Sequence, residues 1–261
     1  MKFIKTAVIL AAGRGTRLKD LGKDIPKGFL RLGEKPIIQE SIEKLAAVGI
    51  VRVVIVTGHV AEKYEELAAS SRGRIVTVHN DVYADSGSLY SLYLAGKELE
   101  PGEGFLLLES DLVYEPRALD VLLTDPRPDL VLVSGRTDSG DEVWVETRGG
   151  NLVALSKDRS RLGQGNSAVS MNPDGAKSRP DTEIIGELVG ISKISGPLYS
   201  ALSKTAENLF EKSLHVEYET GLMETARTYP IPCLLVPDLR WAEIDDEKHL
   251  ERARKVYGMI R

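Results

Sequence analysis

The sequence predicts an α/β fold, with a mixed but mostly parallel central sheet flanked by helices and a small hairpin and lid subregion. Three observations lead there. Short apolar runs alternate with segments of helical period, a glycine-bearing loop follows the first run, and the pattern turns to a hairpin past the middle of the chain.

The apolar runs TAVILAA (6–12), VRVVIVTG (51–58), RIVTVHN (74–80), GFLLLESD (104–111) and DLVLVSG (129–135) fit buried strands. Between them lie IIQESIEKLAAVG, AEKYEELAAS, SGSLYSLYLAGKEL and EPRALDVLLT, whose apolar residues recur at helical spacing. Strand and helix alternating in this way imply a parallel sheet covered on both faces. Beyond it, DEVWVETRGGNLVALSK reads as a hairpin turning at Gly149, Gly150 and Asn151. GELVGISKIS is a further strand, followed by the helical GPLYSALSKTAENLFEKS and YETGLMETARTY, the run IPCLLVPD and a closing helix, DEKHLERARKVYGMI. The stretch from Ser160 to Glu183 is rich in Gly, Ser, Asn, Asp and Pro, with almost no apolar anchors, and reads as a mobile loop, either a substrate lid or an insertion.

Composition narrows the classes. The 261 residues suit one large domain, and 42% hydrophobic residues suffice for a sizeable core. A net charge of −5 and a pI near 5.6 give no electrostatic case for nucleic-acid binding. The single cysteine, Cys233, excludes an internal disulfide and a cysteine-cluster metal site. MKFIKTAVILAAG runs into a glycine loop instead of a cleavage site, so it reads as a first strand and not a signal peptide. No apolar run approaches the roughly 20 residues of a membrane span, and the expectation is a cytoplasmic protein.

The stretch AVILAAGRGTRLKDLGKDIPKGFL carries the chemistry. A strand delivering a glycine loop places backbone N–H groups where a phosphate can sit. Gly13 and Gly15 match two positions of the dinucleotide pattern, but Leu18 stands at the third, and a Walker loop is absent. Arg14, Arg17, Lys19, Lys23 and Lys27 supply more positive charge than a dinucleotide site ordinarily presents, although a solvated basic loop would also contain them. Pro26 stiffens the chain ahead of Lys27.

The pattern LAAGRGTRL followed by PKGFL resembles the signature of nucleotidyltransferases that join a nucleoside triphosphate to a phosphorylated small molecule. The resemblance implies a Rossmann-like nucleotidyltransferase fold. Gly13, Gly15 and Thr16 would hold the triphosphate, with backbone near Leu10, Ala11 and Ala12 reading the base. Arg17 would contact the leaving phosphates and Lys27 would lie beside the phosphorus under attack. Residues 1–115 then form a nucleotide-binding half, and 116–261 an acceptor-binding half, of a single domain.

Nucleotidyl transfer needs charge neutralised as pyrophosphate leaves, and Mg2+ takes hard carboxylate ligands. FLLLESD ends an apolar strand at Asp111, a favourable position because open α/β sheets bind ligands beyond their carboxyl ends. In WAEIDDEKHL, Asp246 suits the N-cap of the last helix, leaving Asp245 to face the site as the second metal ligand. The superfamily pattern also places an aspartate there. Glu109 and Glu243 are weaker candidates that also fit surface positions. None of His59, His79, His215 and His249 shows a catalytic pairing, as expected where the attacking group is already an anion.

FLLLESDLVYE, SGDEVWVE, GELVGISKIS, the helix around EYETGL and WAEIDDEKHLERA together resemble the cytidylyltransferases that activate 2-aminoethylphosphonate with CTP, while the stretch to YADSGSLYSLYL also resembles the phosphocholine enzymes. This implies CTP and 2-aminoethylphosphonate as substrates, with no nucleic acid or membrane partner, and leaves room for a homodimer. The loop from Ser160 to Glu183 exceeds the family pattern. For the amine, Ser139, Asp141, Glu142 and Glu187 can accept its N–H groups, whereas a quaternary amine prefers aromatic walls such as Trp144, Tyr114 and Tyr218. Asp141 and Glu142 equally fit a solvated hairpin entry, Lys157 suits the anionic end or a surface position, and Ser86, Gly87 and Ser88 open a helix fit to hold base or ribose, or merely to cap it. Phosphocholine, a sugar phosphate, or nucleotide binding without catalysis remain the alternatives.

Overall fold

The computed structural model describes residues 4–15, 17, 25–163 and 182–260. Thr16 and most of the polar loop, residues 164–181, lie outside the described residues, as do Leu18, Lys19 and Lys23. The first half runs β1 (Thr6–Ala11), α1 (Ile37–Ala47), β2 (Arg52–Thr57), α2 (Ala61–Ser70), β3 (Ile75–His79), α3 (Ser88–Leu94), β4 (Phe105–Glu109) and β5 (Leu112–Tyr114). The second half runs α4 (Arg117–Thr124), β6 (Leu130–Ser134), the hairpin β7 (Trp144–Arg148) and β8 (Asn151–Ser156), then β9 (Thr182–Ile194), α5 (Gly196–Phe210), α6 (Tyr218–Ala226), β10 (Cys233–Val236), β11 (Trp241–Glu243) and α7 (Glu247–Met259).

The strand order is β10-β6-β9-β4-β1-β2-β3, with β7 joined to β9 and β8 to β7. Parallel pairs join β1 to β2 and β4, β2 to β3, and β6 to β10, while β9 runs antiparallel to both β4 and β6. The sheet is therefore mixed and mostly parallel, as the alternating pattern requires. Successive strand residues point to opposite faces, so Val8 and Leu10 join one apolar layer with α3, α5 and α6, and Ala7, Ile9 and Ala11 join another with α1, α2 and α4. Full burial of a Val, Ile or Leu side chain contributes roughly 1.5–3 kcal/mol, which explains the uninterrupted apolar runs of strands covered on both sides.

Two features differ from the sequence reading. The strand expected over 186–195 begins earlier, at Thr182, because its first residues pair with β7. A separate antiparallel pair, β5 with β11, is too short for any periodicity to reveal it. This small ribbon places the site: Glu243 lies opposite Leu112, and the Ile244 N–H donates to the Asp111 carbonyl over 3.1 Å. Asp111 and Asp245, far apart in the chain, are drawn together at one end of the ribbon. Asp246 caps α7 by accepting from the His249 N–H at 2.8 Å, as its position before the helix implies.

Candidate active site

A cavity of about 410 Å³ opens at the carboxyl ends of β1 and β4. Its walls include Leu10, Ala11, Ala12, Gly13, Gly15, Arg17, Lys27, Ser86, Gly87, Ser88, Asp111, Lys157, Tyr218 and Asp245, all singled out in the sequence. The strand ends are tied where the cavity begins, since the Ser110 N–H donates to the Leu10 carbonyl at 3.1 Å.

The outer part is a closed network of opposite charges. Pro26 leads into a single 3-10 turn, Lys27–Phe29, closed by Leu30 N–H on the Lys27 carbonyl at 3.0 Å and backed by Phe29 edge-on against Tyr64. From this fixed backbone the Lys27 Nζ reaches Asp111 Oδ2 at 2.8 Å and also donates to Asp245 Oδ1. Arg17 bridges Asp245 Oδ2 at 2.9 Å and Asp141 Oδ2 at 3.1 Å, and Lys157 Nζ holds Asp141 Oδ1 at 2.7 Å. Burial works against both Lys27 and Asp245. The two aspartates outweigh it and hold the Lys27 pKa well above its ordinary value, while Lys27 and then Arg17 bring Asp245 down to about 2.

The inner part is different. Glu109, Asp111 and Glu243 present carboxylate oxygens within 4.8 Å of one another, and Glu219 of α6 also faces the cavity. Among the described residues, no Lys or Arg forms an ion pair with Glu109, Glu219 or Glu243. Tyr218 donates its hydroxyl to Glu109 Oε1 at 2.6 Å, and the buried Glu219 Oε2 has no hydrogen-bond partner among the described residues. Burial, followed by Glu243, Glu219 and Asp111, pushes the Glu109 pKa well up. Burial, Asp111 and Asp245 do the same to Glu243, and burial with Glu217 raises Glu219 to about 7. A Cβ at Gly190 would lie 3.1–3.2 Å from the Glu109 carboxylate, in a backbone with φ of +78°, so glycine there makes room for the acid.

The other sequence candidates have local partners. Ser88 donates to Glu217 through its backbone N–H at 3.0 Å and through its hydroxyl, and accepts the Tyr218 N–H at 2.9 Å, so α3 and α6 cap one another at the cavity wall. Gly87 is demanded by packing, since a Cβ would meet the Val216 carbonyl oxygen at 2.2 Å. Glu187, 1% exposed, does not line the cavity; its carboxylate accepts from Thr137 N at 2.6 Å and Oγ1 at 2.7 Å and so braces the loop that carries Asp141. Glu142 accepts from the Gly140 N–H at 3.0 Å, and the Ser139 carbonyl accepts from Lys248 at 3.2 Å. None of Ser139, Asp141 and Glu142 is a wall of the cavity; Asp141 is held by two cations, Arg17 and Lys157, that are. Of the three aromatics named in the sequence, Tyr114 is fully buried against Ser41 and Trp144 is covered by the Arg159 guanidinium at 4.8 Å; Tyr218 lines the wall, together with Tyr64 and Tyr83.

Sequence reading missed Glu217 and Glu219, because glutamates flanking a tyrosine at a helix start look like solvated first-turn residues. The convergence of EYE with Glu109 and Glu243 depends on how α6 packs and on the β5–β11 register.

A glycine loop leaving β1, cations over it and carboxylates at distant strand ends define a nucleotidyltransferase-type site on an α/β sheet. Residues 7–157 match the MobA-like NTP transferase domain, and the chain belongs to that family. It is 41% identical over 93 residues to a choline-phosphate cytidylyltransferase of Streptococcus pneumoniae, covering 36% of this chain and 40% of that one. It is 32% identical over 154 residues to a 2-aminoethylphosphonate cytidylyltransferase of Lancefieldella rimae, covering 58% of this chain and 60% of that relative. The chain thus matches less than two thirds of the length of either relative. The inositol-1-phosphate CTP transferase structure from T. maritima superposes with a TM-score of 0.76 over 99% of this chain and 96% of that one at 18% identity, which establishes the shared fold. No helix among the described residues is long and apolar enough to cross a membrane.

Proposed function

We propose that the protein transfers CMP from CTP to 2-aminoethylphosphonate, releasing pyrophosphate. The observation that carries this reading is the adjoining of two fields in one cavity: Lys27, Arg17 and Lys157 at the outer end, and at the inner end the acids Glu109, Glu219 and Glu243, which have no Lys or Arg partner among the described residues. Such a cavity suits an acceptor that is anionic at one end and cationic at the other. A sugar phosphate has no positive end to offset three partly buried carboxyls. The similarity to a phosphonate and to a phosphocholine cytidylyltransferase supports the cytosine nucleotide and a zwitterionic acceptor. Between the two, a primary ammonium fits better, because its three N–H donors find acceptors in Glu109, Glu219 and Glu243, whereas a quaternary amine has no N–H to give them.

In this reading a phosphonate oxygen attacks the α-phosphorus in line. A new P–O bond forms, the bond to the β-phosphate oxygen breaks, and pyrophosphate departs. The attacking oxygen is already anionic, so no general base is needed, and the protein contributes position and charge. Lys27 and Arg17 bind the phosphate oxygens, the loop at Gly13 and Gly15 admits them to backbone N–H groups, and α6 holds the amine end through Glu219. The donor set at the outer end, buried hard carboxylate oxygens of Asp111 and Asp245, fits Mg2+. When bound there, Mg2+ would neutralise phosphate charge.

Pyrophosphate release should be measured with CTP against 2-aminoethylphosphonate, phosphocholine, phosphoethanolamine and sugar 1-phosphates. The expected outcome is the highest kcat/KM with the phosphonate. Turnover confined to a sugar phosphate would overturn the acceptor assignment.

A further inference from the structure

The metal-ligand candidates are not waiting empty-handed. Both Asp111 Oδ2 and Asp245 Oδ1 already accept from the Lys27 ammonium, and Asp245 Oδ2 accepts from Arg17 at 2.9 Å. All three side chains of the bridge are shielded, with 18% of Lys27, 10% of Asp111 and 3% of Asp245 exposed. A divalent ion would need those same oxygens, at distances near 2.0–2.1 Å for Mg2+. An ammonium still touching them would then face the metal as a like charge across a few ångströms of partly dehydrated space, where repulsion is strong.

Given the reading of Asp111 and Asp245 as the metal pair, we propose that Lys27 is its resident counter-cation. The ammonium holds the two aspartates together until a nucleotide phosphate draws it away, so the divalent ion enters with the triphosphate and not before it. The parts needed for the exchange are on one surface. The Lys27 backbone is fixed by Pro26 and its turn, while its four-carbon stem can swing. Gly15 lies against that stem, with a built Cβ 3.3 Å from Lys27 Cγ, so the phosphate loop is where the ammonium would be delivered. Phosphate oxygens compete well for an ammonium, and the two oxygens it vacates, Asp111 Oδ2 and Asp245 Oδ1, are then open to the metal while Arg17 keeps Asp245 Oδ2. The device would keep free divalent cations from occupying the site in unproductive form.

The test needs no acceptor and no turnover. Mn2+ binding to the free protein is followed by electron paramagnetic resonance, with thermal unfolding measured with and without Mn2+. The wild-type protein should bind Mn2+ weakly, with an unfolding midpoint insensitive to it. Lys27→Met should bind Mn2+ about ten-fold tighter or more, unfold earlier without the ion, and recover on adding it. Adding Asp245→Asn to that variant should abolish the gain, which assigns the ion to this pair and not to Glu109 and Glu243. If Lys27→Met folds only with Mn2+, the proposal is upheld. Affinity equal to or below wild type, or a variant that Mn2+ does not rescue, overturns it. A gain that survives Asp245→Asn also overturns it. A different acceptor in the turnover assay would leave these results untouched.

Discussion

The outer and inner ends of the cavity treat their carboxylates in opposite ways. At the outer end Asp111, Asp141 and Asp245 are each held by Lys27, Arg17 or Lys157. At the inner end Glu109, Glu219 and Glu243 have no such partner among the described residues, and burial raises the pKa of each. Paired charges are preorganised: they keep their positions before substrate comes and exchange partners when it does. Partly buried acids without a cationic partner resist ionisation, and in the proposed reading the arriving ammonium is what lets them ionise.

Breaking the outer network should have the largest effect. Asp111→Asn and Asp245→Asn are each expected to lower kcat by roughly a thousandfold with the fold retained, measured by pyrophosphate release and circular dichroism. A rate near wild type in either variant would remove that aspartate from the metal pair. Breaking the inner field should act on the acceptor instead. Glu219→Gln should raise the KM for 2-aminoethylphosphonate by about 10–100-fold, the worth of a charged hydrogen bond, with the KM for CTP unchanged.

The inner field also sets a pH dependence. With its carboxyl raised to about 7, Glu219 is largely neutral below that pH and anionic above it. The hold on an ammonium should therefore strengthen as pH rises from about 6 to 8, seen as a falling acceptor KM, and Glu219→Gln should flatten that slope. A slope unchanged by the substitution would assign the titration to another group. The smallest effect is expected at the rim. Asp141 steadies Arg17 and Lys157, both more than half exposed, so Asp141→Asn should shift the KM for CTP by no more than about five-fold and leave the acceptor KM alone. A selective loss of acceptor affinity would instead restore Asp141 as an amine ligand.

The two ends were not equally legible in the sequence. The outer end is signalled by short stretches read together with the family resemblance: a strand feeding glycines, a proline ahead of Lys27, an aspartate at a strand end, and Asp245 left free because Asp246 caps α7. Each depends on a few neighbouring residues. The inner end depends on tertiary choices that no short window contains. Glu219 faces inward because α6 caps α3 through Ser88 and Glu217, and Glu109 has room because Gly190 of β9 lies against it. Glu187, which looked available for the amine, is taken by Thr137, a partner 50 positions away. Strand and helix order was readable from periodicity, whereas the three-residue ribbon that unites the two aspartates was too short to register.

The claim that the inner acids read the ammonium is tested most directly by a two-by-two comparison. Acceptor KM is measured for 2-aminoethylphosphonate and for ethylphosphonate, which lacks the amine, in the wild-type protein and in Glu219→Gln. The wild type should prefer the amine by about 10–100-fold and the variant should lose most of that preference, its KM for ethylphosphonate being unchanged. A preference of equal size in both proteins would contradict it.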